Sequence, residues 1–375
     1  MFDDGIKDTA AYIANAMKTY TDIEISFAVR TDAFGSFVKN GDDYVIDENG
    51  KYTFTQSSGQ IRNTAFWIDE STGILNMVDE NGNILRARIE MINHSHSHGV
   101  PADGNNHPEI IGSLHIIQSL FGFDSEAFII PGFTGRTEEY DNLYKEHYLT
   151  ARGLASDVNV ERMLAGLEAF APEKRGRVTS YLVRYNDTWL DENGAFPEVG
   201  ISAEEALRLD ENGKADVSHV EDFLDAAMAS GKLAAFYFHG IKPSTYLDGT
   251  NITEKNELHI YEEQADAIFA YVQKYAETGE LWSTTYSTAS KYYCSWYSSE
   301  LDVRNVTDNL IAVSLTDAED NDVCDEALTV KVPVSDSWDS VLCNGESLEI
   351  KGTVGAKYVL VNVVPDSGIV YLING

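Results

Sequence analysis

The chain has 375 residues, 43% hydrophobic and 11% aromatic, enough for one large α/β domain with a smaller companion and too apolar for global disorder. Its 61 acidic and 27 basic residues leave a formal charge of −34, which repels phosphate and so excludes a nucleic-acid partner and disfavours anionic membrane surfaces. No apolar stretch approaches the length of a membrane span, and Cys294, Cys324 and Cys343 are too scattered for a thiolate zinc cluster, though Cys324 and Cys343 could pair in an exported protein.

Met1 and Phe2 lead directly into Asp3-Asp4-Gly5 with no apolar strand or basic leader, so the natural beginning is expected to be missing and the front to fray. Behind a cap at Asp8 or Thr9, the spacing of Tyr12, Ile13, Ala16, Met17 and Tyr20 predicts a helix, and Ile23 to Val29 then reads as a strand. From about 33 to 88, short alternating runs (Tyr52 to Phe54, Thr64 to Trp67, Ile84 to Ala87) between Asn-Gly and Thr-Gly turns predict a β-hairpin insertion. Asp-Glu-Asn-Gly begins at Asp47, Asp79, Asp191 and Asp210; Asn-Gly suits tight turns, whereas a calcium loop needs more oxygen ligands than these offer.

The α/β pattern resumes at His107. Pro108 opens a helix carried by Ile110, Ile111, Leu114, Ile117 and Leu120, and Ala127 to Ile130 is a short apolar strand ending at Pro131-Gly132. Helices follow around Val160 to Leu167, Val220 to Ala227 and Ile268 to Val272, with Leu233 to Phe238 reading as a buried parallel strand. Beyond Ser298 helical periodicity stops. Strand-like runs at Leu310 to Leu315, Leu328 to Val334, Tyr358 to Val364 and Ile369 to Ile373 predict an appended β-sandwich, giving domains at 1–298 and 299–375.

Two motifs carry chemistry. Asp3-Asp4-Gly5 sets adjacent carboxylates at a strand end, where neighbouring side chains diverge and one can hold a cation while the other faces a water. His94 and His98, in Asn93-His94-Ser95-His96-Ser97-His98-Gly99, are four apart, a spacing that puts both rings on one face of a helical turn, with His96 pointing away. His239 ends the strand at Phe238. Two histidines and one carboxylate leave a coordination position open, the arrangement of a catalytic metal site. His107, His115, His147, His219 and His259 read as surface or core residues, and Trp67 and Trp189 as core before sugar platforms.

The order Phe-Asp-Asp-Gly, then Ile25 to Val29, then His94-Ser95-x-x-His98 resembles the polysaccharide deacetylases of carbohydrate esterase family four, the NodB-homology group, over about residues 2 to 293. Phe236 to His239 and Leu281 to Tyr286 are similar to its late strands. The resemblance implies a distorted (β/α) barrel of about seven strands, with the metal at the C-terminal strand ends. It implies Asp4, His94 and His98 as ligands of a divalent metal, zinc first, with cobalt, manganese or nickel as alternatives. Asp3 is then the general base and His239 the general acid, with substrate contacts from Pro131, Gly132, Phe133 and Trp282. The partner is an acetylated glycan, the setting secreted or cell-surface, and no protein partner is inferable. The chain departs from the family in two places. Ile129 to Phe133 keeps the proline of the third motif without its arginine, for which Arg136 and Arg152 are the candidate replacements. Asn186-Asp187-Thr188-Trp189 is a poor match to the family's Asp-x-x-Asp-Trp. Metal-dependent removal of acetyl groups from a polysaccharide is the expected function. A non-catalytic glycan-binding protein keeping the deacetylase shell is the alternative.

Overall fold

The computed structural model describes residues 1–5, 7–99, 104–132, 137–153, 164–166, 169, 177–178, 181–182, 209–243, 259–317 and 326–375. It divides into two compact units, Met1–Ala169 with Arg175–Ser287, and Phe170–Lys174 with Thr288–Gly375.

The first unit is mixed α/β around a parallel sheet. Helix α1 (Lys7–Thr19) buries Ala10, Ile13, Ala14 and Met17, the i, i+3, i+4, i+7 stripe that seats a helix on a core. Strands β1 (Ile25–Val29), β2 (Ile89–Asn93), β3 (Ala127–Ile129), β4 (Thr150–Arg152) and β5 (Arg177–Val178) pair in that order, all parallel. Every residue of β1 to β4 is buried, as expected of parallel strands covered on both faces. Tyr181–Leu182 pairs in parallel with Phe236–Tyr237. No helix among the described residues is long and apolar enough to cross a membrane.

The stretch from 33 to 88 departs from the expected hairpin. Two-residue pairs at Ser36–Phe37 with Phe54–Thr55, and Lys39–Asn40 with Asp43–Tyr44, are present. The run Thr64 to Trp67, however, lies in a helix, Ser58–Ile68, and Leu85–Arg88 is a 3-10 turn. Ser57 and Gln60 form a reciprocal capping box that satisfies the first free N–H groups of that helix, and Trp67 turns inward onto Phe27, ring centroids 5.1 Å apart. Trp67 is therefore core, fully buried.

The Asp-Glu-Asn-Gly repeats at Asp47, Asp79 and Asp210 share one turn; that at Asp191 lies outside the described residues. In each, the aspartate Oδ1 accepts the backbone N–H groups two and four residues on, at 2.8 to 2.9 Å. These bonds hold the three carboxylates below the usual carboxylate range, at Asp79 against the upward push of burial. A carboxylate depressed by folding stabilises the fold above about pH 4, its unfolded value, and that contribution fades as the pH drops through the folded pKa. Asp79 also faces Arg88 at 3.2 Å. Asp79→Asn should lower Tm at pH 7 and flatten its fall as the pH drops below about 4, in thermal melts run across pH.

The second unit is all-antiparallel after its opening helix. One sheet orders Glu300–Thr307, Leu310–Thr316, Val370–Asn374, Val341–Cys343 and Glu346–Leu348; the other pairs Leu328–Pro333 with Tyr358–Val363. Alternate residues of both sheets, Val313, Val330, Val332, Val359, Val361 and Leu372 among them, join Trp338 in one core. Cys343 is a free buried thiol, as an unpaired core cysteine would be; Cys324 lies outside the described residues.

Candidate metal centre

The front of the chain is bonded in place. Phe2 forms parallel bridges to Phe27 of β1 and to Phe238. Its N–H donates to Ser26 at 3.0 Å, its carbonyl accepts from Ala28 at 2.7 Å, and Asp3 N–H donates to Phe238 at 2.9 Å. The Phe2 ring stacks on Phe238 with centroids 5.2 Å apart and is 2% exposed. The expected fraying is thus overturned: apolar burial and ladder bonds on both sides fix the two aspartates at the C-terminal ends of neighbouring strands. Asp4 (φ +66°) and Gly5 (φ +59°) then take left-handed backbone, the sharp turn that delivers the chain into α1. At Gly5 a side chain would also press on Val29, 3.2 Å from a Cβ.

The histidine loop follows β2. His94 N–H donates to the Val29 carbonyl at 3.1 Å, which ties the loop to the end of β1. The expected helical turn does not form. Ser95 (φ +64°) and His98 (φ +60°) are left-handed, Ser95 N–H donates to Asn93 Oδ1 at 2.9 Å, and His98 N–H donates to Ser95 Oγ at 3.0 Å. These side-chain bonds replace helical ones and still bring the rings together, centroids 4.8 Å apart. His96 turns away, its Nδ1 paired with Thr31 Oγ1 at 2.9 Å and its ring 4.3 Å from that of Phe37.

Asp4 Oδ1 lies 3.8 Å from His94 Nε2 and 3.8 Å from His98 Nε2, and the three ligand atoms all fall within 4.8 Å of one another. His94 Nδ1 pairs with the Ile129 carbonyl at 2.9 Å; a carbonyl only accepts, so the proton sits on Nδ1 and Nε2 carries a lone pair. Burial, against the pull of Asp3, lowers His94 to about 4, which leaves the ring neutral near pH 7. Asp4 Oδ1 and His94 Nε2 are both buried without a hydrogen-bond partner among the described residues. Two acceptors aimed at each other, beyond hydrogen-bond reach and with no proton between them, are mutually repulsive. A cation relieves that repulsion, and one carboxylate with two imidazoles is a donor set suited to zinc and its neighbours.

Beside this triad, Asp3 Oδ2 accepts from Arg152 at 2.5 Å. Arg152, the last residue of β4, is fully buried and lies 3.9 Å over the Tyr237 ring. Burial pushes the Asp3 carboxyl up, but Arg152, with His94 and His239, more than reverses this and holds it below the usual carboxylate range. Asp3 Oδ1 has no partner among the described residues. His239, next after Phe238, is lowered by burial against the charges of Asp3 and Asp4, and its Nδ1 is likewise unpartnered among the described residues. Arg152→Met removes one member of a buried pair, which costs about 3–5 kcal/mol; chemical denaturation should show that loss, and adding Asp3→Asn should recover part of it.

Pro131 (buried) and Gly132 (exposed) follow β3 on the rim where Ile129 receives His94, and Phe133 lies outside the described residues, as do Arg136 and the segment 186–189. Trp282 is displaced from the site. Its neighbours Ser283 and Thr284 bond to Glu24, which precedes the first residue of β1, whereas the histidines meet the last residue, Val29. A strand of that length separates the two ends by about 13 Å, so the segment carrying Trp282 meets the opposite end of β1 from the triad. Glu109 and Thr31, which hold the histidine loop, were not singled out in the sequence; neither sits in a motif, and only the fold brings them there.

No family model matches the chain. A gellan lyase from a Bacillus species is 32% identical over 98 residues, 25% of this chain, and the chain spans 4% of that relative's length. Among solved structures, the chain is similar to a putative polysaccharide deacetylase from Mycobacterium smegmatis (9% identity, 76% of each chain, TM-score 0.39). It is also similar to a family 4 acetyl xylan esterase from Clostridium thermocellum in complex with a cobalt ion (14% identity, 66% of this chain and 78% of that one, TM-score 0.30). A CE4 family pseudoenzyme from Bacillus anthracis is similar at 10% identity, 76% of this chain and 60% of that one, with a TM-score of 0.32. Similarity at these scores carries no argument about activity, which rests on the side chains themselves.

Proposed function

We propose that the chain is a metal-dependent hydrolase that removes N- or O-acetyl groups from a polysaccharide. The observation that carries this reading is the facing of Asp4 Oδ1 and the His94 and His98 Nε2 atoms around one point, with His94 locked in the tautomer that offers its lone pair there. A divalent cation in that place, zinc or else cobalt, manganese or nickel, would supply Lewis acidity toward an acetyl carbonyl and acidify water. Asp3, kept ionised by Arg152, has one buried oxygen uncommitted, and that oxygen takes the proton of the attacking water. His239, on the strand neighbouring Phe2, protonates the departing nitrogen or oxygen. Pro131 and Gly132, on the rim after β3, are assigned to contact with the substrate's acetyl group, and Phe133 keeps that role only from the resemblance. Arg152 stands where the resemblance lacked an arginine, reaching Asp3 from β4 in place of the loop after β3.

In this reading the pairing of Arg177–Val178 with β4 and of Tyr181–Leu182 with Phe236–Tyr237 fits parallel strands closing into a distorted barrel. The C-terminal unit is then a β-sandwich, and the protein acts on glycans at or outside the cell surface. The test is acetate release from acetylated chito-oligosaccharides or xylan, expected with added zinc or cobalt and lost on chelation. A non-catalytic glycan-binding protein is the second reading, favoured by one feature, the lack of an orienting partner for His239 Nδ1 among the described residues. Glycan binding with no acetate released under any of these metals would establish it.

A further inference from the structure

The three residues between His94 and His98 are held from outside the loop. The Ser95 carbonyl accepts from Thr31 N–H at 3.3 Å and the His96 carbonyl from Asp32 N–H at 3.1 Å. The other grip is a single residue. Glu109 Oε2 accepts the Ser97 N–H at 2.7 Å, its Oε1 accepts the Ser97 hydroxyl at 2.8 Å, and its backbone carbonyl accepts the His96 N–H at 3.0 Å. Glu109 is 6% exposed, seated in the wide turn Pro108–Gly112 that opens the following helix. A buried carboxylate spending both oxygens on one serine is a costly placement unless the serine's position matters. The loop it grips contains two non-glycine residues in left-handed backbone, Ser95 and His98, a conformation that disperses readily when its bonds are removed.

We infer that Glu109 is a positioning residue for the cation site, clamping Ser97 so that His98 faces Asp4 before any cation arrives. This rests on the reading of Asp4, His94 and His98 as ligands. Glu109 touches none of the three ligand side chains; it acts through the backbone of the loop. Because the clamp is a pair of hydrogen bonds, glutamine can reproduce it: the amide oxygen accepts the Ser97 N–H and the amide nitrogen donates to a rotated Ser97 hydroxyl. Alanine can do neither.

The experiment is calorimetric titration of the full chain with zinc, alongside the visible spectrum of the cobalt-loaded protein and the Tm of the metal-free protein. Glu109→Ala should weaken zinc binding about ten- to a hundredfold, the range for groups that orient ligands, and broaden the cobalt bands. Glu109→Gln should stay within about threefold of the parent, since hydrogen bonds survive where charge does not. Equal zinc affinity in a folded Glu109→Ala, or an equally large loss in Glu109→Gln, overturns the inference while leaving the ligand set intact. If Glu109→Ala lacks a cooperative melt, Ser97→Ala decides: a weakening of at least about threefold supports the clamp, and no change overturns it. A parent protein that takes up no zinc or cobalt instead removes the reading beneath.

Discussion

Asp3→Asn is expected to lower kcat/KM for acetate release by about 10²- to 10⁴-fold, the contribution of a positioned general base, with zinc affinity close to that of the parent. The reasoning follows from how the two neighbouring aspartates diverge. Asp4 faces the imidazoles, whereas Asp3 faces Arg152 and keeps one oxygen without a partner among the described residues. An amide of the same shape still accepts from Arg152 but cannot take a proton, so chemistry is lost and coordination is not. Enzyme assays with zinc titration of the same preparation separate the two, and Tm must be followed because the guanidinium would then be a buried charge without a counter-charge. Loss of metal binding together with activity would reverse the roles assigned to Asp3 and Asp4.

His94→Ala carries the second large effect. It removes the buried imidazole proposed as a ligand, whose Nε2 has no hydrogen-bond partner among the described residues, and zinc affinity should fall by at least about a hundredfold, beyond what changes outside the ligand shell produce. Activity should follow and should not return at millimolar zinc. The metal-free variant should melt near the parent, because the orphaned acceptor pair between His94 and Asp4 disappears and partly offsets the cavity left by the ring. His96→Ala is the internal control. That ring bonds Thr31 and packs on Phe37, so its loss should soften the loop without removing a ligand.

How far this was legible in the sequence depends on the range of the interaction concerned. The run Ile23 to Val29 reads as a strand, and β1 occupies Ile25–Val29, buried throughout. The histidines at 94 and 98 do meet, yet the helical turn inferred from their spacing is replaced by a left-handed Ser95 whose hydroxyl receives the His98 N–H, a detail that i, i+4 arithmetic cannot contain. Helix Ser58–Ile68 was misread as strand because Thr64, Phe66 and Trp67 are β-formers; its capping pair Ser57 and Gln60 was the local signal that outweighed them. Phe2 looked like a loose end since its stabilising neighbours, Phe27 and Phe238, are distant in sequence. The Arg152–Asp3 pair spans 149 positions, and nothing near either residue chooses Arg152 over Arg136, the other candidate. The segment carrying Trp282 meets Glu24, before the first residue of β1, a placement that its position in a motif does not reveal.

The most direct test is X-ray absorption on chelator-stripped protein reloaded with one equivalent of zinc. A first shell of nitrogen and oxygen with the multiple-scattering signature of two imidazoles, reduced to one in His98→Ala, is the result expected here. A stripped protein that takes up no metal, or a shell unchanged by His94→Ala and His98→Ala, would contradict the placement of a cation between Asp4 and those two rings.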